Sequence, residues 1–533
     1  MKRAAALFAL AAVCGDDLGR HEIPPGDAAP VTCRVPVSHP TIQAALDDAS
    51  CPAVSIESGF YDENLAIARD RSLEAIGAVT IDGGGRDSVL VIRDDASVIL
   101  VGLTLQNGRA GLGGGIRNQG RGALQLIASE VTSSTASQAG GGIHSLGPVR
   151  LERSAVRDNQ VVAEVYATGG GIAAADEVIL DGGSLVERNR VEASPGCAGG
   201  GIDAIRAVLR GASAVRENRA ETWTYSGAAV RGGGIRADGV DIAGGSSVAG
   251  NLAHAHADYV DPMDEGAYAF GGGVYSGCYG VQPSAVRVED SSIEGNQAIA
   301  GGNLAGQAAG GGLSAESCEV SLVGATIRGN WAVVEDDAGV GAVGGGLASG
   351  NFSVGPQTVD GQVTLVNSTI ADNRASGEIA RGGGMAATGP LQLYSVTLVG
   401  NRADWTGVGG EGSAVDTQGT LTLAGSILWD NGPVDLACGA GTSHGHNLIA
   451  HPGACDLAGA TELDEIGLDP LLGPLADNGG PTLSRMPRAG SPAIDGGDPA
   501  GCRGPDDVAL RTDQRGLPRP VGVCDIGAVE VQP

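Results

Sequence analysis

The chain is nearly devoid of lysine and poor in aromatic residues. Lys2 is its single lysine, so the 33 basic residues are almost all arginine, and 62 acidic residues leave a net charge of −29. That balance excludes ordinary nucleic-acid binding, which needs a basic patch to release counterions. Aromatics make up only 3% of 533 residues although 42% are hydrophobic. After the first residues no segment approaches the run of about 18 apolar residues that a membrane helix requires. Disorder is excluded as well, because Val, Ile and Leu recur at regular spacing. A chain of this length with this composition reads as one repeat array.

Glycine is abundant, at 91 residues, and organised. A triplet followed by an aliphatic residue stands at Gly113–Ile116, Gly140–Ile143, Gly169–Ile172, Gly199–Ile202, Gly232–Ile235, Gly271–Val274, Gly310–Leu313, Gly344–Leu347 and Gly382–Met385. A second signature, Ser-x-(Val/Ile)-x-x-Asn-x-Ala, alternates with it, as at Ser213–Ala220, Ser291–Ala298 and Ser368–Ala375. Its asparagines run from Asn107 and Asn159 through Asn189, Asn218, Asn251, Asn296, Asn330, Asn373 and Asn401 to Asn431, with Ser134 taking the place once. Short alternating segments such as Val178-Ile179-Leu180 lie between the two. This pattern predicts a parallel β-helix of right-handed coils. Equivalent residues then stack at about 4.8 Å, with asparagine in left-handed corners and the glycines at the opposite corner.

Lys2 and Arg3 precede an apolar run from Ala4 to Val13, the form of a secretory signal over residues 1–13. The ten cysteines fit an oxidising compartment. Local pairing joins Cys33 to Cys51, Cys438 to Cys455 and Cys502 to Cys524, and similar offsets from consecutive glycine triplets join Cys278 to Cys318. Cys197 is left over. Residues 14–32 read as a linker, 33–430 as the solenoid and 431–533 as a terminal domain.

Three resemblances follow from particular motifs. Leu10-Ala11-Ala12-Val13-Cys14 resembles a bacterial lipobox, which implies a lipid on Cys14; simple cleavage and secretion is the alternative. Thr41–Leu46, followed by Val54-Ser55-Ile56 and Ser58–Leu65, resembles the helical cap and first coils of the pectin-lyase-like superfamily. Gly445-His446-Asn447, Asp469-Pro470-Leu471, Asn478-Gly479-Gly480-Pro481, Ser491–Gly496, Asp513-Gln514-Arg515-Gly516 and Cys524–Glu530 together resemble the choice-of-anchor Q domain of bacterial surface proteins. That likeness implies an extracellular or outer-membrane location, with the domain closing the far end of the solenoid.

Candidate chemistry falls in two places. The residue after each triplet's aliphatic forms an outward column, in which Asp203 and Arg236 are neighbours and His144 lies nearby; carboxylates and arginines on such a face suit a polysaccharide lyase or hydrolase. Segments after the asparagines carry Trp223, Tyr225, Trp331 and Trp405, expected to project from one edge and stack on sugar rings. Asp258, Asp261, Asp264, Asp336 and Asp337 are candidate oxygen ligands for Ca²⁺. The leading expectation is a monomeric, non-catalytic surface protein that binds an extracellular glycan or a surface protein. Any membrane contact is through the N-terminal lipid alone, and the alternative is an enzyme acting on uronic-acid-containing polysaccharide.

Overall fold

The computed structural model describes residues 32–225, 227–258, 266–278, 285–302, 306–335, 341–350, 361–405, 412–453, 455–519 and 523–532. Nearly all regular structure in them is short parallel strand. The helix Ile42–Asp47 is the exception: Thr41 caps it by accepting from Ala44 N, and Ile42, Ala45 and Leu46 are buried over the first coil. Cys14 lies outside the described residues.

One coil shows the plan. After Gly140 the strands Ile143–Ser145, Val149–Glu152 and Ala155–Arg157 form three walls. Each pairs in parallel with its counterpart a coil away, as Ile143 does with Ile116 and Ile172. Alternation turns Ile143, Val149, Leu151 and Val156 inward, into a continuous Ile, Leu and Val core. The protein is a parallel β-helix.

The corners differ from expectation in two respects. The glycine triplet does not sit opposite the asparagine. It touches it, closing the three walls into a tube: a β-carbon on Gly171 would stand 2.8 Å from Asn189 Nδ2, and one on Gly201 2.9 Å from Asn218 Nδ2. Nor do the ladder asparagines take the left-handed conformation. The residue before each does, for example Asp158 (φ 56°), Arg188 (φ 51°) and Glu217 (φ 56°). Asn107 is itself such a residue (φ 57°) and stands one place before the column, where Gly108 N donates to Ser134 Oγ.

The asparagines instead form a buried amide chain. Asn189 Nδ2 and its backbone N both donate to Asn218 Oδ1 at 3.0 Å, and Nδ2 also donates to Val156 O. The chain runs coil by coil to Asn431, whose Nδ2 ends on Asp435 Oδ1. A parallel serine chain, including Ser154, Ser184, Ser213 and Ser246, satisfies the next corner.

Beyond the asparagines from Asn159 to Asn373 the chain does not form plain loops. It leaves the tube on one strand and returns on another, as Gln160–Ala163 and Ala167–Thr168 do. Stacked, these make a two-layered wing whose interior is mostly alanine: Ala220, Ala253, Ala298, Ala332 and Ala375 on the outgoing layer, Ala269, Ala308, Ala342 and Ala380 on the returning one. Small side chains let the two layers approach closely. Cys197 is free and buried in this interior, where burial raises its thiol pKa.

The last residues also depart from expectation. Parallel pairing continues past residue 430 to the strand Glu465–Ile466, which is exposed, so the terminal region does not close that end. It turns back along the third wall instead. Gln514 bonds Thr369 and Thr326, Ala528 N donates to Thr397 Oγ1, and Arg519 reaches Asn367. The threonine hydroxyls of that wall offer these polar partners. Disulfides join Cys33 to Cys51, Cys278 to Cys318, Cys438 to Cys455 and Cys502 to Cys524.

Candidate functional site

Two surfaces gather the chemistry-bearing residues. The first is the outer face of the wing's outgoing layer. Alternation places Ala220 and Thr222 inward and Glu221 and Trp223 outward on the strand Arg219–Thr224, and Tyr225 follows just past its end. Trp223 is 54% exposed and Tyr225 71%. Trp331 follows its asparagine directly, stands on the same face at 43% exposure, and has the Arg374 guanidinium 5.9 Å from its ring centre. Register puts Trp331 three coils from Trp223, about 14 Å along the axis, and four residues off along the strands, about 13 Å. Trp405 does not join them. It is the fourth residue of Arg402–Trp405, so strand parity turns its ring toward the alanine interior.

The second surface is the angle between wing and tube. The predicted column is aligned: His144 pairs with Ala173, Ala173 with Asp203, Asp203 with Arg236 and Arg236 with Tyr275. It faces away from the tube but is half covered, because the returning strand leans over it, and Tyr275, Ala348 and Ala386 are buried against Phe270. Asp203 lies 3.4 Å from Arg236, which also holds Asp238 at 3.2 Å. Burial raises the Asp203 pKa, against the lowering effect of Arg236 and of a hydrogen bond with Thr168. Further along, the Tyr275 hydroxyl donates to Glu316 at 2.9 Å with Arg231 over its ring, and burial raises the pKa of both acids. His144 is two coils from Asp203, beyond contact. Its buried Nδ1 has no hydrogen-bond partner among the described residues, and burial, with Arg117 nearby, lowers its pKa.

Of the candidate calcium ligands, Asp258 accepts from or shares a proton with His256 Nε2 at 3.0 Å; Asp261, Asp264, Asp336 and Asp337 lie outside the described residues. Among the described residues Cys33, His39 and Cys51 come within 4.8 Å of one another, but the two sulfurs are bonded to each other and offer no thiolate. Sequence reasoning missed His254 and His256, which flank Trp223, and Trp429, which lines a 610 Å³ cleft with His451, Arg485 and Arg488. The alternating Leu-Ala-His-Ala-His-Ala run was the available signal for the first two.

No protein-family model and no curated protein matches the chain. Among solved structures, the crystal structure of pectate lyase Pel9A is similar with a TM-score of 0.27 and 11% identity, over 90% of this chain and 88% of that one. A likeness so distant bears on no residue's role. Four disulfides mark an exported protein. No helix among the described residues is long and apolar enough to cross a membrane.

Proposed function

We propose that this protein binds an extracellular glycan, or a surface protein bearing one, on the outer face of the wing, and does not cleave it. The observation that carries the reading is the exposure of Trp223 and Trp331 on one face of a chain with only four tryptophans, with exposed Tyr225 just past the strand that bears Trp223. Rings held on a rigid sheet lose little entropy when a sugar stacks on them, and each contact contributes about 1 kcal/mol. The diagonal from Trp223 to Trp331 suits a short oligosaccharide. The chain works at the bacterial surface, as its resemblance to choice-of-anchor Q proteins supports, held by a lipid on Cys14 or released after signal cleavage.

One observation favours catalysis as a second reading: the half-buried Asp203, with its raised pKa, beside Arg236. Against it, Asp203, Asp238 and Glu316 are each engaged by groups of the chain itself. A panel of polysaccharides, scored for retention and for chain cleavage, separates the two. Loss of retention in Trp223→Ala/Trp331→Ala with unchanged Tm supports binding. Cleavage abolished by Asp203→Asn would replace it with the enzyme. Fatty-acid labelling of the wild type but not of Cys14→Ser would establish the lipid.

A further inference from the structure

The outgoing strand Leu252–Ala257 reads Leu-Ala-His-Ala-His-Ala. Its alanines fill the wing interior, so His254 and His256 both stand on the outer face, two residues apart. Trp223 of the preceding coil lies against both rings, with centroids 5.0 and 4.6 Å away. On the following coil His256 pairs with Gly301, and Glu335 lies one coil beyond.

Gly301 leaves a gap where any other residue would place a side chain. His256 Nδ1 and Glu335 Oε2 both approach to 3.1 Å of the point where its β-carbon would stand. The other nitrogen of His256 is held by Asp258 at 3.0 Å, which leaves Nδ1 turned to the gap. His254 Nε2 is shielded from solvent and has no hydrogen-bond partner among the described residues. A buried polar atom without a partner is unfavourable, and a ligand would remove that cost.

We propose that His254, His256 and Glu335 form a site for a divalent transition metal, Zn²⁺ being the best match, with Asp258 orienting His256 from behind. Two neutral imidazoles and one carboxylate are the donor set of borderline-soft ions; Ca²⁺ and Mg²⁺ prefer oxygen alone. A carboxylate on the far nitrogen of a metal-bound histidine is the usual supporting contact. As they stand the three donor atoms do not all lie within 4.8 Å of one another; with His256 held by Asp258, rotation of His254 and Glu335 brings them to its Nδ1, since all stand on the same face and Gly301 places no side chain between them. The site stands whether or not the same face takes a glycan.

The test uses the full chain, stripped with chelator and titrated with Zn²⁺ by calorimetry, with Cu²⁺ quenching of tryptophan fluorescence in parallel. Wild type is expected to bind one Zn²⁺ and to lose it at least tenfold in affinity in His254→Ala and His256→Ala. Glu335→Gln and Asp258→Asn weaken it about tenfold. Trp223→Phe keeps Zn²⁺ affinity and loses the Cu²⁺ quench, placing the ion beside that ring. Thermal midpoints in chelator show that each variant folds. Equal Zn²⁺ affinity in wild type and His254→Ala/His256→Ala would overturn the proposal, as would Ca²⁺ competing with Zn²⁺ at equal strength.

Discussion

Asn189 lies against Gly171, its amide nitrogen 2.8 Å from where a β-carbon on that glycine would be. The contact joins the beginning of a coil to the end of its third wall, and it recurs from coil to coil. Here the tube closes and the wing departs. Glycine is needed because the neighbours are backbone and a fixed amide, neither of which can move aside.

Gly171→Ala should therefore cost about 1–3 kcal/mol, since the added carbon also meets Gly201 O at 2.7 Å. Gly245→Ala, in open space at φ 75°, should cost only about 1 kcal/mol of backbone strain. Urea titration of both variants checks the order; an equal effect would mean that the neck is looser than described.

Asn251→Ala removes the acceptor for Asn218 N and Asn218 Nδ2 together. Each buried donor left unpaired costs about 1–3 kcal/mol. Asn107→Gly, outside the amide chain and at φ 57°, gives up one bond from Nδ2 to Asp82 but strands no buried donor, and should cost about 1 kcal/mol or less. Thermal unfolding distinguishes them.

The returning terminal region is pinned by Arg519, fully buried and 2.9 Å from Glu530. Arg519→Met strands that carboxylate and should cost about 3–5 kcal/mol, with faster proteolysis after residue 466. Arg519→Met/Glu530→Leu should recover much of the loss. If the double variant is as unstable as the single, packing and not charge is responsible.

His144 carries a pH prediction. Burial lowers its pKa in the folded chain from 6.5, so the unfolded chain takes up the proton first as pH falls. The stability that the neutral ring contributes is complete above about pH 6.5 and is lost below it, through the depressed folded value. Tm measured from pH 7.5 to 5 should fall more steeply in wild type than in His144→Gln. Parallel curves would show that the ring is hydrated.

Much of the tube was legible in residue order. The columns from His144 to Tyr275 align as periodicity placed them, and the four disulfides join the pairs that offset suggested. Period-2 alternation and stacking are local rules, repeated too often to be mistaken. The wing was not legible, because alanine strands bordered by segments of uneven length resemble loops, and only their mutual burial makes them a sandwich. Trp405 shows the consequence: proximity to an asparagine suggested exposure, while strand parity turned it inward.

By itself, then, the sequence determined the repeat, the inward aliphatic columns, the cysteine partners and the acidic, arginine-based surface, since each depends on spacing or composition. Tertiary structure decided where the glycine and asparagine corners meet, which tryptophans face water, and that the terminal region lies along Thr326, Thr369 and Thr397 and not over the open end. Those outcomes depend on contacts between residues far apart in the chain, whose free energy is set by which surfaces fit and which hydrogen bonds are completed.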